Sequence, residues 1–184
     1  ISYDSFFSGI DEERRALWIH SLACGFIARN LAKIVPGLDC EEMFVAGMLH
    51  DVGLSILAKH FPLDFRSLLK ANRGSAHPFQ GELRVLGVTH AEIGYWACQF
   101  WKLSESLAQA VLHHHEPLQA SGDQRGSCLI HLADCLALQA IHPGHPEISY
   151  FQPDCLKILG LNSVVVSAVL QESAHQWQEV EQFV

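Results

Sequence analysis

The sequence predicts an all-α protein, and three observations support this fold class. Apolar residues recur at spacings of three and four along the chain, and almost nothing alternates with the period of two that is typical of strands. Hydrophobic residues make up 49% and charged residues 17% of the 184 residues, as in a packed globular chain. Signals for helix starts and stops also follow one another closely. We therefore expect residues 1–184 to form a single multi-helix bundle with a sizeable core.

Composition excludes several function classes. The 12 basic and 20 acidic residues give a net charge of −8, whereas a bulk nucleic-acid partner would require a basic surface. No apolar run approaches the ~20 residues of a membrane span. The cysteines form no C-x-x-C pair and follow no secretory leader, so free thiols and a cytoplasmic location are expected. Because the chain begins at Ile1 instead of Met, we expect it to be a piece of a longer protein.

The first predicted helix follows a capping box formed by Ser8 and Asp11 and ends at Pro36 and Gly37. One buried stripe runs along it, and this stripe includes His20. The stripe consists of Leu17, His20, Cys24, Ile27, Leu31 and Ile34. A lone histidine at such a position is either a hydrogen-bonded core residue or a metal ligand, and the spacing alone favours the core residue.

The second predicted helix begins at Asp39 and runs into the adjacent pair His50 and Asp51, with Gly53 expected as its C-terminal stop. Such a pair offers one imidazole nitrogen and one carboxylate within reach of a single cation. Two short helices are expected next, over residues 54–60 and 64–71.

Pro78 is well placed in the first turn of a further helix that ends near Gly87. Thr89 and Glu92 then form a Thr-x-x-Glu capping box. The box places His90 in the first turn of its helix, where we expect the ring to be held rigidly without being stacked inside the core.

Ser104 caps the next predicted helix, and Pro117 ends it. Its last residues are three consecutive histidines, His113, His114 and His115. At about 100° per residue, three neighbours span roughly 200° of a helix surface, so at most two of them can face one cation. The alternative is a solvated helix end, where imidazolium suits the helix dipole.

Ser127 opens a helix whose inward stripe contains Asp134 among aliphatic residues. Burial without compensation would raise the pKa of this carboxylate and leave it protonated, and a metal or a histidine partner would remove the conflict. His131, one turn earlier, is a candidate hydrogen-bonding partner behind the ligands, but a surface position is favoured. The chain ends with two packing helices, predicted over residues 154–159 and 163–182.

Together these side chains form an N/O-rich, thiolate-free donor set, which suits Fe, Mn, Zn or Ni. The candidate ligands are His20, His50, Asp51, His90, His114, His115 and Asp134. Because seven ligands exceed the number that one tetrahedral cation takes, we expect one or two divalent transition-metal ions. Two ions about 3.5–4 Å apart would be bridged by Asp51, the candidate catalytic residue, and would suit phosphohydrolase chemistry.

The order of these motifs resembles the HD superfamily of metal-dependent phosphohydrolases, and the surrounding residues are more similar to its HDOD branch. The similarity spans roughly residues 12–140 and lies in the segments WIHSLACGFIARNLA, VAGMLHDVGLSIL, LGVTHAEIGYWACQFWKLSESLAQAVLHHHEP and LIHLADCLA. The resemblance implies an HD-domain-like helical bundle with a bacterial signalling role beside other signalling domains, often without catalysis. Such regions carry additional helices before the motif of His20, which agrees with a fragment of a longer signalling protein.

Two departures from the related HD-GYP phosphodiesterases bear on catalysis. Leu54 stands where those enzymes have a lysine that meets the substrate phosphate, and Pro117 with a polar loop replaces their Gly-Tyr-Pro segment. Our first hypothesis is therefore a signalling output domain that retains the metal site and interacts with other signalling domains or proteins. The alternative is an active metal-dependent phosphohydrolase acting on a nucleotide or cyclic dinucleotide, which leaves enzymatic activity open.

Overall fold

The computed structural model describes residues 12–61, 65, 67–68, 78–141 and 151–181. Every regular element among them is helical, so the predicted all-α class is confirmed. In chain order the helices are α1 (Glu12–Ala32), α2 (Cys40–Leu49), α3 (Val52–His60), α4 (Pro78–Leu86), α5 (His90–Phe100), α6 (Glu105–Leu112), a 3-10 turn (Pro117–Gln119), α7 (Arg125–Ile141), α8 (Asp154–Leu159) and α9 (Ser163–Glu181). None of these described helices is both long and apolar enough to cross a membrane.

Helix α1 lies at the centre of the bundle and packs against α2, α7 and α9. The middle of its predicted stripe is fully buried, including Cys24, Ile27 and Leu31. The prediction was wrong at the end of the stripe, because the helix ends at Ala32 and Ile34 is 47% exposed. Helix α7 is buried along most of its length. These two helices therefore supply the rigid framework on which inward-facing polar side chains can be held.

Side-chain caps fix where the helices begin. Asp39 accepts a hydrogen bond from the backbone N–H of Glu42, and Ser104 accepts one from that of Leu107. Thr89 completes the predicted capping box with Glu92 at the start of α5. These three predicted starts are confirmed, and each satisfies a backbone N–H that lacks an intrahelical partner. Ser8, most of the helix predicted over residues 64–71 and the loop over residues 142–150 lie outside the described residues.

Helices α1 and α2 cross with their backbones in contact. A Cβ atom built on Gly47 would lie 2.8 Å from the Cα of Gly25 and 2.9 Å from the carbonyl oxygen of Cys24. A side chain of any size would therefore push the helices apart. Because His20 lies on α1 and His50 follows α2, this close crossing brings the two histidines to one place.

Gly53 has a different role from the predicted C-terminal stop. Helix α2 ends at Leu49, and α3 begins at Val52, so Gly53 lies in the first turn of α3. A Cβ atom there would lie 2.0 Å from the carbonyl oxygen of His90. The glycine thus allows the start of α3 to touch the start of α5, which places Asp51 beside His90.

We predict that Gly47→Ala destabilises the fold, because the added methyl group meets backbone atoms that cannot rotate away. Overpacking of this kind costs roughly 1–3 kcal/mol of unfolding free energy, measurable by urea denaturation. Gly126→Ala is the matched control, since a Cβ there would meet its nearest neighbours at 3.8 and 3.9 Å. Equal unfolding midpoints for the two variants would contradict the proposed backbone contact.

Candidate metal centre

One group of polar side chains forms where α1, the end of α2 and α7 meet. The Nε2 atom of His20 lies 3.2 Å from Nε2 of His50 and 3.0 Å from Oδ1 of Asp134. The same His50 nitrogen lies 3.3 Å from Oδ2 of Asp51. We call His20, His50 and Asp134 the first group; it combines two imidazoles and one carboxylate in the interior.

A second group forms at the start of α5 and in the turn after α6. The Nε2 atom of His90 lies 3.3 Å from Nε2 of His114 and 3.0 Å from Nε2 of His115. The Asp51 carboxylate approaches this group too, with Oδ1 at 3.2 Å from Nε2 of His90 and 3.8 Å from Nε2 of His114. His90, His114 and His115 are the second group, which contains three imidazoles.

The carboxylate of Asp51 lies between the two groups. Its Oδ2 atom faces the first group, and its Oδ1 atom faces the second. All seven predicted side chains therefore meet in one cluster. The same arrangement gives three sets of ligand atoms that each lie within 4.8 Å of one another.

The three consecutive histidines do not lie on a helix, contrary to the prediction. Helix α6 ends at Leu112, and His113 is its C-terminal cap. The chain then turns, which brings His114 and His115 into the second group, while His113 belongs to none of the ligand sets found among the described residues. The structure therefore shows that His114 and His115 are the two histidines that face the cluster, which helical geometry alone could not decide.

Hydrogen bonds on the far side of three rings fix which nitrogen faces the cluster. In each ring Nδ1 donates to an oxygen that can only accept, so Nε2 of the neutral ring carries a lone pair. The donations run from His50 to the carbonyl oxygen of Gly47 at 2.7 Å, from His114 to that of Val111 at 2.6 Å, and from His90 to the Glu82 carboxylate at 2.8 Å.

The lone pairs of these rings point at one another, so the donor set can be compared with what a metal ion requires. The Nε2 atoms of His90 and His114 are 3.3 Å apart, and two neutral rings in these tautomers would have no hydrogen between them. Only a proton or a metal cation can satisfy both nitrogens. Imidazole nitrogens with carboxylate oxygens suit borderline divalent transition metals. Burial raises the pKa of the nearby Cys24 thiol, which agrees with the predicted thiolate-free donor set.

Without a metal, protons take the place of cations at two rings. Burial disfavours charge on His50, but the Asp51 carboxylate outweighs burial and raises the pKa of His50 well above its usual value. Burial also opposes charge on His90, yet its hydrogen bonds to Asp51 and Glu82 raise its pKa to about 10. The protein therefore places positive charge beside Asp51 from both of its sides.

The remaining groups respond to those charges. Burial and the positive charge of His90 lower the pKa of His115 to about 3. Burial and neighbouring histidines also hold the pKa of His114 well below its usual value. Although burial favours the neutral acid, histidine partners hold the pKa of Asp134 far below the ordinary range. Burial alone would raise the pKa of Asp134, as expected from the sequence for an uncompensated carboxylate. A histidine partner prevents this rise, which is one of the two solutions expected from the sequence.

One residue near the site, Glu82, was not predicted as part of it. Glu82 is 1% exposed, whereas its helical neighbours Leu83 and Val85 are 47% and 45% exposed. Helix α4 thus buries a carboxylate and exposes apolar side chains, which is the reverse of an amphipathic pattern. No sequence signal connects Glu82 to His90, because the contact depends on the turn between α4 and α5.

The surface position favoured for His131 was wrong, because the residue is fully buried. Its Nδ1 donates to the carbonyl oxygen of His114 at 2.7 Å, and its Nε2 accepts from the backbone N–H of Gln152 at 3.1 Å. The His90 ring is also buried, at 2% exposure, instead of standing outside the core. Tertiary contacts explain why both rings are buried, because each ring is held by partners from other elements of the structure.

A family model for the HDOD domain matches residues 1–117, which is more than half of the chain. The chain belongs to the HDOD family. This confirms the resemblance expected from the ordered histidine and aspartate motifs. The matched region ends before α7, so Asp134 and His131 lie beyond it.

Individual relatives are more distant. An uncharacterized protein of Treponema pallidum (strain Nichols) is 28% identical over 110 residues, covering 57% of this chain and 21% of the relative. A crystal structure from Shewanella amazonensis, provisionally named a phosphohydrolase, is 22% identical with a TM-score of 0.73, covering 94% of this chain and 63% of that one. An HDOD domain protein with unknown function from Geobacter sulfurreducens is 23% identical with a TM-score of 0.71, covering 97% and 65%.

A provisionally named signal transduction protein from Marinobacter aquaeolei is 19% identical with a TM-score of 0.76, covering 91% of this chain and 38% of that one. The chain thus spans less than two thirds of each of these relatives. At such identities the solved structures show a shared fold.

We predict a two-sided pH dependence of stability for the metal-free protein. The folded pKa of His90 is about 10, above its reference value of 6.5, so its contribution is full below pH 6.5 and is lost as pH rises towards 10. The folded pKa of His115 is about 3, so its contribution is present above pH 6.5 and is lost as pH falls towards 3.

Urea unfolding at a series of pH values, in the presence of a chelator, measures this profile. His90→Gln should flatten the alkaline decline, and His115→Gln should flatten the acidic one. If each variant shifted the whole curve by a constant amount, the assigned pKa values would be wrong.

Proposed function

We propose that this HDOD protein is a bacterial signal-transduction domain that retains a divalent transition-metal centre. The signalling assignment is supported by membership of the HDOD family and by the fold shared with a provisionally named signal transduction protein. Its partners would be other signalling domains or proteins. The proposed metal ligands are His20, His50, Asp51, His90, His114, His115 and Asp134.

The observation that carries the metal proposal is the convergence of imidazole lone pairs. Backbone and carboxylate acceptors hold Nδ1 of His50, His90 and His114, so all three Nε2 atoms are directed into the cluster. Two carboxylates, from Asp51 and Asp134, lie among them. An interior that gathers so many titratable groups is costly unless a cation compensates them. Iron, manganese, zinc and nickel all suit this donor set.

A second candidate function is metal-dependent phosphohydrolysis, and the position of Asp51 favours it. Because its two oxygens face different histidine groups, Asp51 could bridge a pair of cations. Such a pair supplies Lewis acidity and lowers the pKa of water. The first group would hold one cation, and the second group would hold the other. A nucleotide or cyclic dinucleotide would be the substrate.

The environment of Leu54 favours the non-catalytic assignment. Its side chain is half-buried and packs against the small core cluster of Leu57, Ala58, Phe65 and Leu68. This apolar residue stands at the position where the related phosphodiesterases carry their phosphate-binding lysine. The chain therefore uses the position for packing, and metal binding is the part of the chemistry that its residues support best.

We predict that protein purified from metal-replete cells contains about one or two transition-metal ions per chain. Asp51→Ala should lose the metal and lower the melting temperature, because removing one partner from a buried charged cluster costs roughly 3–5 kcal/mol. Elemental analysis and calorimetry measure both effects. His113→Ala is the control, since it changes a neighbouring histidine outside the ligand sets. Metal-free wild-type protein from such cells would count against the proposal.

We also predict that phosphodiesterase activity is weak at most, because Leu54 cannot bind a phosphate oxygen. A panel of phosphodiesters that includes cyclic-di-GMP, assayed with Mn²⁺ or Fe²⁺, measures this activity. Asp51→Ala protein purified in parallel controls for contaminating hydrolases. Rapid turnover by the wild type that is absent from Asp51→Ala would establish the phosphohydrolase function instead.

A further inference from the structure

The Glu82 carboxylate has an unusual environment for a charged side chain. It is 1% exposed, and a carboxylate at such depth needs strong hydrogen bonds. Two of its donors belong to the same residue: the backbone N–H of His90 donates to Oε2 at 2.7 Å, and the ring Nδ1 of His90 lies 2.8 Å from both carboxylate oxygens. Glu82 therefore accepts hydrogen bonds from both the backbone and the ring of His90, a candidate metal ligand.

Both contacts restrict where the His90 ring can point. His90 is the first residue of α5, so its backbone N–H lacks an intrahelical acceptor and is available to Glu82. With the backbone and Nδ1 both held, rotation of the ring would break hydrogen bonds on the buried side. The opposite nitrogen, Nε2, is thereby directed at Asp51 Oδ1, at 3.2 Å, and at His115 Nε2, at 3.0 Å.

The other rings with a defined outer contact donate to neutral acceptors, namely the carbonyl oxygens of Gly47 and Val111. A carboxylate acceptor gives a stronger, charge-assisted hydrogen bond and makes the ring a more basic ligand. Glu82 also adds negative charge next to the second group without occupying a ligand position. The second group therefore contains a ring whose Nδ1 is held by a carboxylate, whereas Nδ1 of His50 in the first group donates to a carbonyl oxygen.

We propose that Glu82 is a positioning residue that orients His90 and raises the metal affinity of the second group. The effect on affinity rests on the proposed metal-binding function. The orientation of the ring does not, because the Nδ1–H bond to Glu82 exists with or without a cation at Nε2. Glu82 would act through His90 and would not itself contact the metal.

The variants Glu82→Gln and Glu82→Asp test this role. Glutamine removes the charge and cannot accept both hydrogen bonds equally, whereas aspartate keeps the charge on a shorter side chain. Glu92→Gln is the matched control, because Glu92 lies in the same first turn of α5 as His90 and its carboxylate accepts hydrogen bonds from the backbone and hydroxyl of Thr89. Metal-free and Co²⁺-loaded forms of each protein are measured.

The first measurement is the proton NMR signal of the His90 Nδ1–H in metal-free protein, assigned by its loss in His90→Gln. We expect a far-downfield, slowly exchanging signal in the wild type and in Glu92→Gln, partial retention in Glu82→Asp and loss in Glu82→Gln. A wild type that gives this pattern but binds no Co²⁺ would refute the metal proposal and leave the positioning role intact. An unchanged signal in Glu82→Gln would refute the positioning role.

The second measurement is Co²⁺ titration followed by visible absorption. In Glu82→Gln we expect affinity at one site to fall by about 10- to 100-fold and the spectrum at saturation to change, with smaller changes of the same kind in Glu82→Asp. A purely structural role would lower the melting temperature and leave the saturated spectrum unchanged. If Glu82→Gln does not fold, Glu82→Asp decides: wild-type NMR and Co²⁺ spectra in that variant, despite its displaced carboxylate, would overturn the proposal.

Discussion

The structure of the site depends on the carboxylate of Asp51 being shared between two groups of histidines. Sharing requires the start of α3 to lie against the start of α5, and this contact leaves no space for a Cβ atom at Gly53. A second close contact, between the backbones of α1 and α2, brings His20 to His50. Small residues at two crossings thus determine whether the donor atoms of distant segments can meet.

The site also determines how charge is distributed in the interior. Three carboxylates, from Asp51, Asp134 and Glu82, accompany five imidazoles in a region that excludes most water. Without metal, positive charge on some rings suppresses protonation of their neighbours, as the raised pKa of His90 and the lowered pKa of His115 show. Electrostatic coupling of this kind favours a bound cation, because one cation can satisfy several lone pairs that protons can satisfy only in part.

A metal at this place would connect α1, the link between α2 and α3, the start of α5, the turn after α6, and α7. These segments are far apart in the sequence, so shared ligands would act as a cross-link through the centre of the bundle. The ligand set would then stabilise the bundle, and this role does not require catalysis. It agrees with the apolar packing of Leu54 at the position where phosphate binding is expected in related enzymes.

The sequence by itself determined the helical class, the helix starts at Asp39, Thr89 and Ser104, and the candidate ligands, because periodicity, capping and residue chemistry are local. It could not assign the contact role of Gly53 or the burial of His131, because the partner of each comes from another segment. It also missed Glu82, because no sequence signal connects this residue to His90. Only the tertiary structure decided these features, because the backbone contacts between helices and the turn after α6 depend on how the helices pack.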